Sequence, residues 1–252
     1  MSMEGPATAA TDGGPADVLI RAAAEDVHLL ARLHDREPDR RLLELLRSVP
    51  FRDHLALDLR RPESLAALAE LDRGLGMLPA RIDASVLDDL AADFADIYLT
   101  HAIRAGTSES AWLDDDHLER QEPMFEVRRW YQHYGLRVEN WRLRPDDHLV
   151  HELQFLAFLL DRATPEAARD AARFADRHIL RWIGDFAAAV GKRCRTPYFV
   201  GLARLTASYL EELRDLLEHA TGEPRWQPAE PKARPLPRCT AERYLPGVGP
   251  GW

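Results

Sequence analysis

Apolar residues recur at helical spacing along most of this chain, and no segment shows the alternation expected of a half-buried strand. A stripe near the N-terminus consists of Leu19, Ala22, Ala23, Val27, Leu30 and Leu33. A second consists of Leu87, Leu90, Ala91, Phe94 and Tyr98, and a third of Tyr198, Leu202, Leu205, Tyr209, Leu213 and Leu216. Each stripe covers one helix face, which is the pattern of a helix packed on a core. The chain is therefore predicted to be all-α.

Start and stop signals divide the remaining periodic segments into further helices. We predict them over 39–49, 64–75, 125–134, 148–162, 198–220 and 165–190, the last with a bend near His178. Pro62 suits the first turn of the second of these helices, and Gly74 and Gly76 suit its end. Gly222 is well placed to end the last helix.

The same signals predict one folded domain between two irregular tails. Residues 1–16 are rich in Ala, Thr, Gly and Pro, and they lack the basic start and apolar run of a targeting peptide, so we expect a loose tail. Residues 17–221 contain no long flexible linker and are predicted to form a single-domain helical bundle. Residues 222–252 contain seven prolines and four glycines, which predicts a Pro-rich irregular C-terminal tail.

Composition indicates what kind of partner the chain can bind and in which compartment it can act. The 252 residues include 46% hydrophobic ones, enough for a packed core. The formal charge of -9 argues against nucleic acid as a partner and favours a cationic one. The longest strongly apolar run, 153–160, is far short of the ~20 residues of a membrane span, so no stable membrane insertion is expected. Two cysteines without CxxC spacing, Cys194 and Cys239, fit a reducing cytoplasm.

One helix carries side chains with metal-ligand chemistry. His148, His151 and Glu152 have spacing i, i+3, i+4 and could share a helix face, so a metal-dependent helical hydrolase or lyase is one alternative. The spacing is not HExxH, and charged residues are common at helix starts for local reasons. No serine has a GxSxG context and Gly191-Lys192 is not a P-loop. We therefore predict no catalytic residue, no metal and no cofactor as the leading interpretation.

An acidic run follows an aromatic residue in the middle of the chain. Asp114, Asp115 and Asp116 come directly after Trp112 and Leu113. One interpretation is a solvated loop. The other is a rim that binds arginine, because guanidinium groups pair with carboxylates and stack on aromatic rings.

Three short segments occur in a characteristic order: SAWLD at 110–114, VRRWYQHYGL at 127–136, and PDDHL at 145–149 followed by Glu152-Leu153 and an apolar run. Together they resemble the TorD/DmsD/NarJ-type redox-enzyme maturation chaperones. The similarity extends over about residues 20–220 and is most specific between about 94 and 160. It implies a TorD-like helical bundle.

The resemblance also implies a function without catalysis. Members of that family act in the cytoplasm, bind the twin-arginine signal peptide or N-terminal region of a molybdenum-cofactor oxidoreductase, and hold it until cofactor insertion and export. The implied partner is therefore the precursor of a molybdoenzyme catalytic subunit. The molybdenum cofactor or a guanine nucleotide is left open as a further ligand by the same analogy, although no residue pattern locates either. A helical regulatory or scaffold protein with a folded partner is a third alternative.

Signal-peptide-binding residues follow from the same resemblance. Asp147 and His148 match the Asp-His pair of the family's signal-binding pocket. Tyr98, Leu99 and Trp112 match positions in the neighbouring aromatic and apolar wall. Asp146 and Asp114 are assigned to the same binding surface.

Overall fold

The structure, a computed structural model, describes residues 14–100, 104–114 and 117–227. Within these ranges it contains helices and turns but no strand, and the one strand-like pairing is an isolated bridge between Ser108 and His148. The all-α prediction is confirmed. Most of both predicted tails, residues 1–13 and 228–252, lies outside the described residues, so the domain limits stay a prediction.

Ten α-helices occur in the described residues. They are α1 (Pro15–Asp35), α2 (Arg40–Leu46), α3 (Pro62–Gly76), α4 (Ala84–Phe94), α5 (Ser110–Leu113), α6 (Glu122–His133), α7 (Leu149–Asp161), α8 (Pro165–Arg177), α9 (Ile183–Arg193) and α10 (Pro197–Thr221). Short 3-10 turns span Phe51–His54 and Ile179–Arg181, and a π-helical turn, Ala95–Leu99, extends α4. The predicted bend is confirmed, because the chain leaves α8 at His178 before α9 begins.

Helix α10 lies at the centre of the bundle. It packs against α3, α9, α8 and α1, while α7 packs against α1 and α8. Its buried residues include Tyr198, Val200 and Leu210, which lie on more than one side of the helix. A helix with apolar residues on several sides is stable only when other helices surround it. The helix ends at Gly222, which has the left-handed conformation (φ 68°) of a C-terminal cap.

Two glycines allow α3 and α10 to approach closely. A Cβ atom at Gly201 would lie 2.6 Å from the Cα atom of Leu71, and one at Gly74 would lie 2.9 Å from the carbonyl carbon of Pro197. Both contacts are with backbone atoms, so a rotamer change of a neighbour cannot relieve them. The two helices therefore pack backbone to backbone.

We expect Gly201→Ala to lower the free energy of unfolding by about 1 to 3 kcal/mol, the usual cost of overpacking a core. Gly184 on α9 is the matched control, because a Cβ atom there meets nothing within 4 Å. Gly184→Ala should leave stability unchanged or raise it by up to about 1 kcal/mol through helix propensity. Urea unfolding measures both values. Equal effects of the two substitutions would contradict the close packing.

Buried polar side chains link helices that are distant in sequence. The Asp26 carboxylate on α1 accepts bonds from the backbone N–H groups of Ala56 and Leu57 and from the hydroxyl of Tyr209 on α10. Asp93 accepts from the N–H of Thr196 at the start of α10. The Asp26 bonds fix the long connection between α2 and α3 to the bundle, and the Asp93 bond joins α4 to the start of α10. None of the described helices is both long and apolar enough to cross a membrane.

Candidate functional site

Two of the three motif segments pair through their backbones. The N–H of Glu109 donates to the carbonyl oxygen of Asp147 (2.9 Å), and the N–H of Leu149 donates to the carbonyl oxygen of Thr107 (2.8 Å). This short backbone pairing joins the loop before α5 to the turn before α7. The structure therefore brings together the segments around Trp112 and Asp147 that the sequence assigned to one surface.

The side chain of Asp147 also links the two segments through hydrogen bonds. It is fully buried, and its Oδ2 atom accepts hydrogen bonds from both the N–H (2.8 Å) and the hydroxyl (2.5 Å) of Ser110. Burial raises the pKa of the Asp147 carboxyl to about 6; the bonds from Ser110 oppose this rise and the nearby Glu109 adds to it. The carboxylate is thus turned toward the interior, where it positions the loop that carries Trp112.

The two neighbours of Asp147 are also engaged within the protein. His148 is the N-cap of α7, where its Nδ1 atom accepts from the N–H of Val150 (3.1 Å), and only 5% of the residue is exposed. Asp146 is buried and pairs with Arg128 on α6 (2.9 Å). The charge of Asp146 is therefore compensated inside the structure.

The remaining predicted site residues have different environments. Trp112 is half-buried, and its indole N–H donates to the carbonyl oxygen of Gly106 (2.8 Å). Asp114 is half-buried at the end of α5, whereas Asp115 and Asp116 lie outside the described residues. Leu99 is 61% exposed.

Tyr98 belongs to the core rather than to the surface. Its hydroxyl lies 2.5 Å from Nδ1 of His34 on α1, and its ring packs on Phe94 with centroids 4.7 Å apart. His34 also lies 2.8 Å from the hydroxyl of Thr206 on α10. Burial lowers the pKa of His34 to about 3, so this histidine is neutral.

A buried acidic cluster behind the site escaped the sequence analysis. His178 bonds through Nδ1 to Oε2 of Glu109 (2.9 Å), and the indole N–H of Trp182 donates to Oε2 of Glu152 (3.2 Å). Burial raises the pKa of Glu152 well above its usual range, and the nearby Glu109 and Asp147 raise it further. Glu109 and His178 are 69 residues apart, so no spacing rule could have paired them.

The alternative of a metal-dependent hydrolase or lyase is not supported. Nδ1 of His148 caps α7, Nδ1 of His151 donates to the carbonyl oxygen of Pro145 (2.9 Å), and Glu152 points inward to Trp182. The three side chains therefore have separate partners instead of a common centre. Across residues 14–100, 104–114 and 117–227, no group of three His, Cys, Asp or Glu side chains has the arrangement of a metal site.

A comparison with protein families identifies the family of this chain. Residues 58–188, just over half of the chain, match the family model described as nitrate reductase delta subunit. This chain belongs to the nitrate reductase delta subunit family. The matched range contains both segments of the site and the buried acidic cluster. The resemblance to TorD/DmsD/NarJ-type chaperones is thereby confirmed.

Several curated relatives of this delta-subunit family member are named chaperone protein TorD. The relative from Actinobacillus succinogenes is 30% identical over 125 residues, which are 49% of this chain and 62% of that protein. The relative from Vibrio cholerae is 28% identical over 160 residues, 59% of this chain and 70% of that protein. The relative from Vibrio parahaemolyticus is 27% identical over 196 residues, 74% of this chain and 90% of that protein. The chain thus spans less than two thirds of the first of these relatives.

Proposed function

We propose that this chain is a cytoplasmic assembly chaperone for a molybdenum-cofactor oxidoreductase. It binds the twin-arginine leader or N-terminal region of the catalytic-subunit precursor and holds it until the cofactor is inserted and the enzyme is exported. It has no catalysis of its own. The observation that carries the proposal is the family match over residues 58–188, which includes both segments of the site, together with relatives that are named chaperones.

The leader contacts a surface that we call the loop surface. We define it by Leu99, Trp112, Asp114 and Leu118. Leu118 is 54% exposed, and its backbone N–H lies 3.5 Å from Oδ2 of Asp114, so an apolar group and a carboxylate adjoin there. A leader offers an arginine pair and a short apolar helix. The net charge of -9 attracts the arginine pair, and the apolar side chains of the loop surface bind the apolar helix.

Asp147 and His148 belong to this site as positioning residues. Both are buried, and each holds a backbone segment: Asp147 holds the start of α5 through Ser110, and His148 holds the start of α7. In this proposal they set the position of Trp112 instead of touching the arginines. Asp146 acts in the same way through its pair with Arg128. We assign no residue to a molybdenum cofactor or a guanine nucleotide.

Titration with a fluorescently labelled twin-arginine leader from a molybdoenzyme of the same organism tests the surface. We expect Trp112→Ala and Leu118→Ala each to weaken binding about tenfold, equivalent to ~1.4 kcal/mol. Raising the salt concentration from low to high should weaken wild-type binding, because exposed charges are screened. Leu118 is exposed, so its substitution should leave the fold intact.

Leu45→Ala is the matched control, since Leu45 is 59% exposed and lies on α2, which contributes no residue to the loop surface. It should bind the leader like the wild type. Failure of the folded wild-type chain to bind any such leader, or equal effects of Leu45→Ala and Leu118→Ala, would contradict the assignment. Circular dichroism of each variant confirms that the fold is retained.

A further inference from the structure

A cavity of about 780 Å³ opens between α6, the end of α8 and the segment 222–227 that follows α10. Its lining includes Trp130 from α6, Trp226 from the C-terminal segment, and Arg177, His178 and Arg181. The volume falls within the range of about 300 to 1,000 Å³ that is typical of binding pockets. No residue of the loop surface lines it.

The charges in this cavity do not balance. Its two acidic lining residues are already paired: Glu126 lies 3.6 Å from Arg129, and Asp170 lies 3.4 Å from Arg173. Arg177 and Arg181 also line the cavity, yet neither forms an ion pair with any acidic residue in the described part of the chain. Two exposed guanidinium groups thus have no acidic partner among the described residues, in a protein whose net charge is -9.

His178 adds a buried polar group to the cavity. Only 2% of the residue is exposed, its ring packs on Phe174 with centroids 5.0 Å apart, and Nδ1 bonds to Glu109. Nε2 forms no hydrogen bond with the described residues. One ring nitrogen of His178 is thus left for a hydrogen bond with an occupant of the cavity.

The walls of the cavity are fixed and aromatic. The N–H of Trp226 donates to Asp176 (2.8 Å), and the guanidinium of Arg181 lies over the Trp226 ring, 5.7 Å from its centroid. Arg225 pairs with Glu211 (2.7 Å), which holds the segment down. Trp130 also lines the cavity, and its ring forms a T-shaped contact with Phe174. An apolar or aromatic group can therefore pack against an indole.

We propose that this cavity binds an acidic peptide segment of a partner protein. A carboxylate of the peptide pairs with Arg177 and Arg181, because guanidinium and carboxylate groups form charge-assisted bonds. A neighbouring aromatic or apolar side chain packs against Trp130 or Trp226. The two indoles in the lining favour a peptide over a polyphosphate, because a polyphosphate has no apolar group to pack against them.

This site differs from the loop surface in the charge that it selects. The loop surface is proposed to take a basic leader, whereas the cavity takes an acidic segment. The hydrogen bond between His178 and Glu109 joins the two, because Glu109 directly precedes α5, which carries Trp112. An occupant of the cavity would therefore contact the residue that supports the loop.

Fluorescence anisotropy with a labelled Asp-Glu-Phe-Asp-Glu peptide tests the proposal, alongside the corresponding Asn-Gln-Phe-Asn-Gln peptide and pyrophosphate. The acidic peptide should bind, the amide peptide should bind at least about tenfold more weakly, and pyrophosphate should not compete. We expect Arg177→Ala and Arg181→Ala each to weaken the acidic peptide about fivefold or more. Arg41→Ala, which removes an exposed arginine on α2, should have no effect beyond the change in net charge.

Equal binding of the two peptides, or absence of binding by both, would overturn the proposal. Competition by pyrophosphate with the same dependence on Arg177 and Arg181 would overturn it in favour of a phosphate ligand. Leader binding at the loop surface should be unchanged in Arg177→Ala. The two proposals therefore fail separately.

Discussion

Replacing Arg214 with alanine is expected to lower the free energy of unfolding by about 3 to 5 kcal/mol. The Arg214 side chain is fully buried in α10, and its Nε and Nη2 atoms each donate to Asp176 on α8 at 2.8 Å. Without the guanidinium, the Asp176 carboxylate would be left buried without its partner. Removing one member of a buried ion pair is costly because the remaining charge is uncompensated.

The same substitution should disturb the cavity near Trp226. Arg214 also donates to the carbonyl oxygen of Glu223 (3.0 Å), and Asp176 accepts from the N–H of Trp226. We therefore expect a change in tryptophan fluorescence of folded Arg214→Ala at low denaturant concentration. This change would show that the 222–227 segment depends on the buried pair.

Arg204 provides the matched control on the same helix. Its pair with Glu70 is close (2.6 Å), but 48% of the Arg204 side chain is exposed. Exposed pairs typically contribute ~0 to 1 kcal/mol, so Arg204→Ala should cost no more than that. Urea unfolding of both variants under the same conditions makes the comparison. Similar losses for Arg204→Ala and Arg214→Ala would contradict the role given to the buried pair.

The second large effect concerns pH. The folded-state pKa of Asp147 is about 6, above its ordinary value of 3.8. Between these two values the folded protein holds the proton more strongly than the unfolded chain. The contribution of Asp147 to stability is thus fully present below about pH 4 and is lost as the pH rises through about 6, a loss on the order of 3 kcal/mol.

Asp147→Asn removes this titration but keeps an oxygen that can accept both bonds from Ser110. We expect the free energy of unfolding of Asp147→Asn, relative to wild type, to rise by about 3 kcal/mol between pH 4 and pH 7. Urea unfolding at several pH values measures the difference. Asp89→Asn, at an exposed position on α4, should run parallel to the wild type. A profile of Asp147→Asn that also stays parallel would show that the Asp147 carboxyl is not buried as described.

The long helices could be predicted because their apolar residues recur at helical spacing in the sequence. The stripe around Leu202 and Tyr209 predicts α10, and the bend predicted near His178 lies between α8 and α9. The four-residue helix α5 and the π-helical turn Ala95–Leu99 escaped prediction. Elements of one turn are too short to show a period, so the surrounding structure decides their conformation.

The sequence could predict which segments form the site, but it could not predict how their side chains are arranged. The family resemblance implied one surface for Trp112 and Asp147, and the backbone pairing before α5 and α7 joins their segments. The inward direction of Asp147 depends on Ser110, which lies 37 residues away. Adjacent charged residues at a helix start usually face water, so burial here could be learned only from the fold.

Molybdenum incorporation tests the central claim most directly. Each molybdoenzyme precursor of the same organism that carries a twin-arginine leader is expressed in a molybdenum-replete host, with and without this chain. The molybdenum bound per purified catalytic subunit is then measured by mass spectrometry. An assembly chaperone should raise the molybdenum content of at least one precursor severalfold, and Trp112→Ala should reduce that gain. Equal molybdenum content with and without the chain, for every such precursor, would contradict the proposed function.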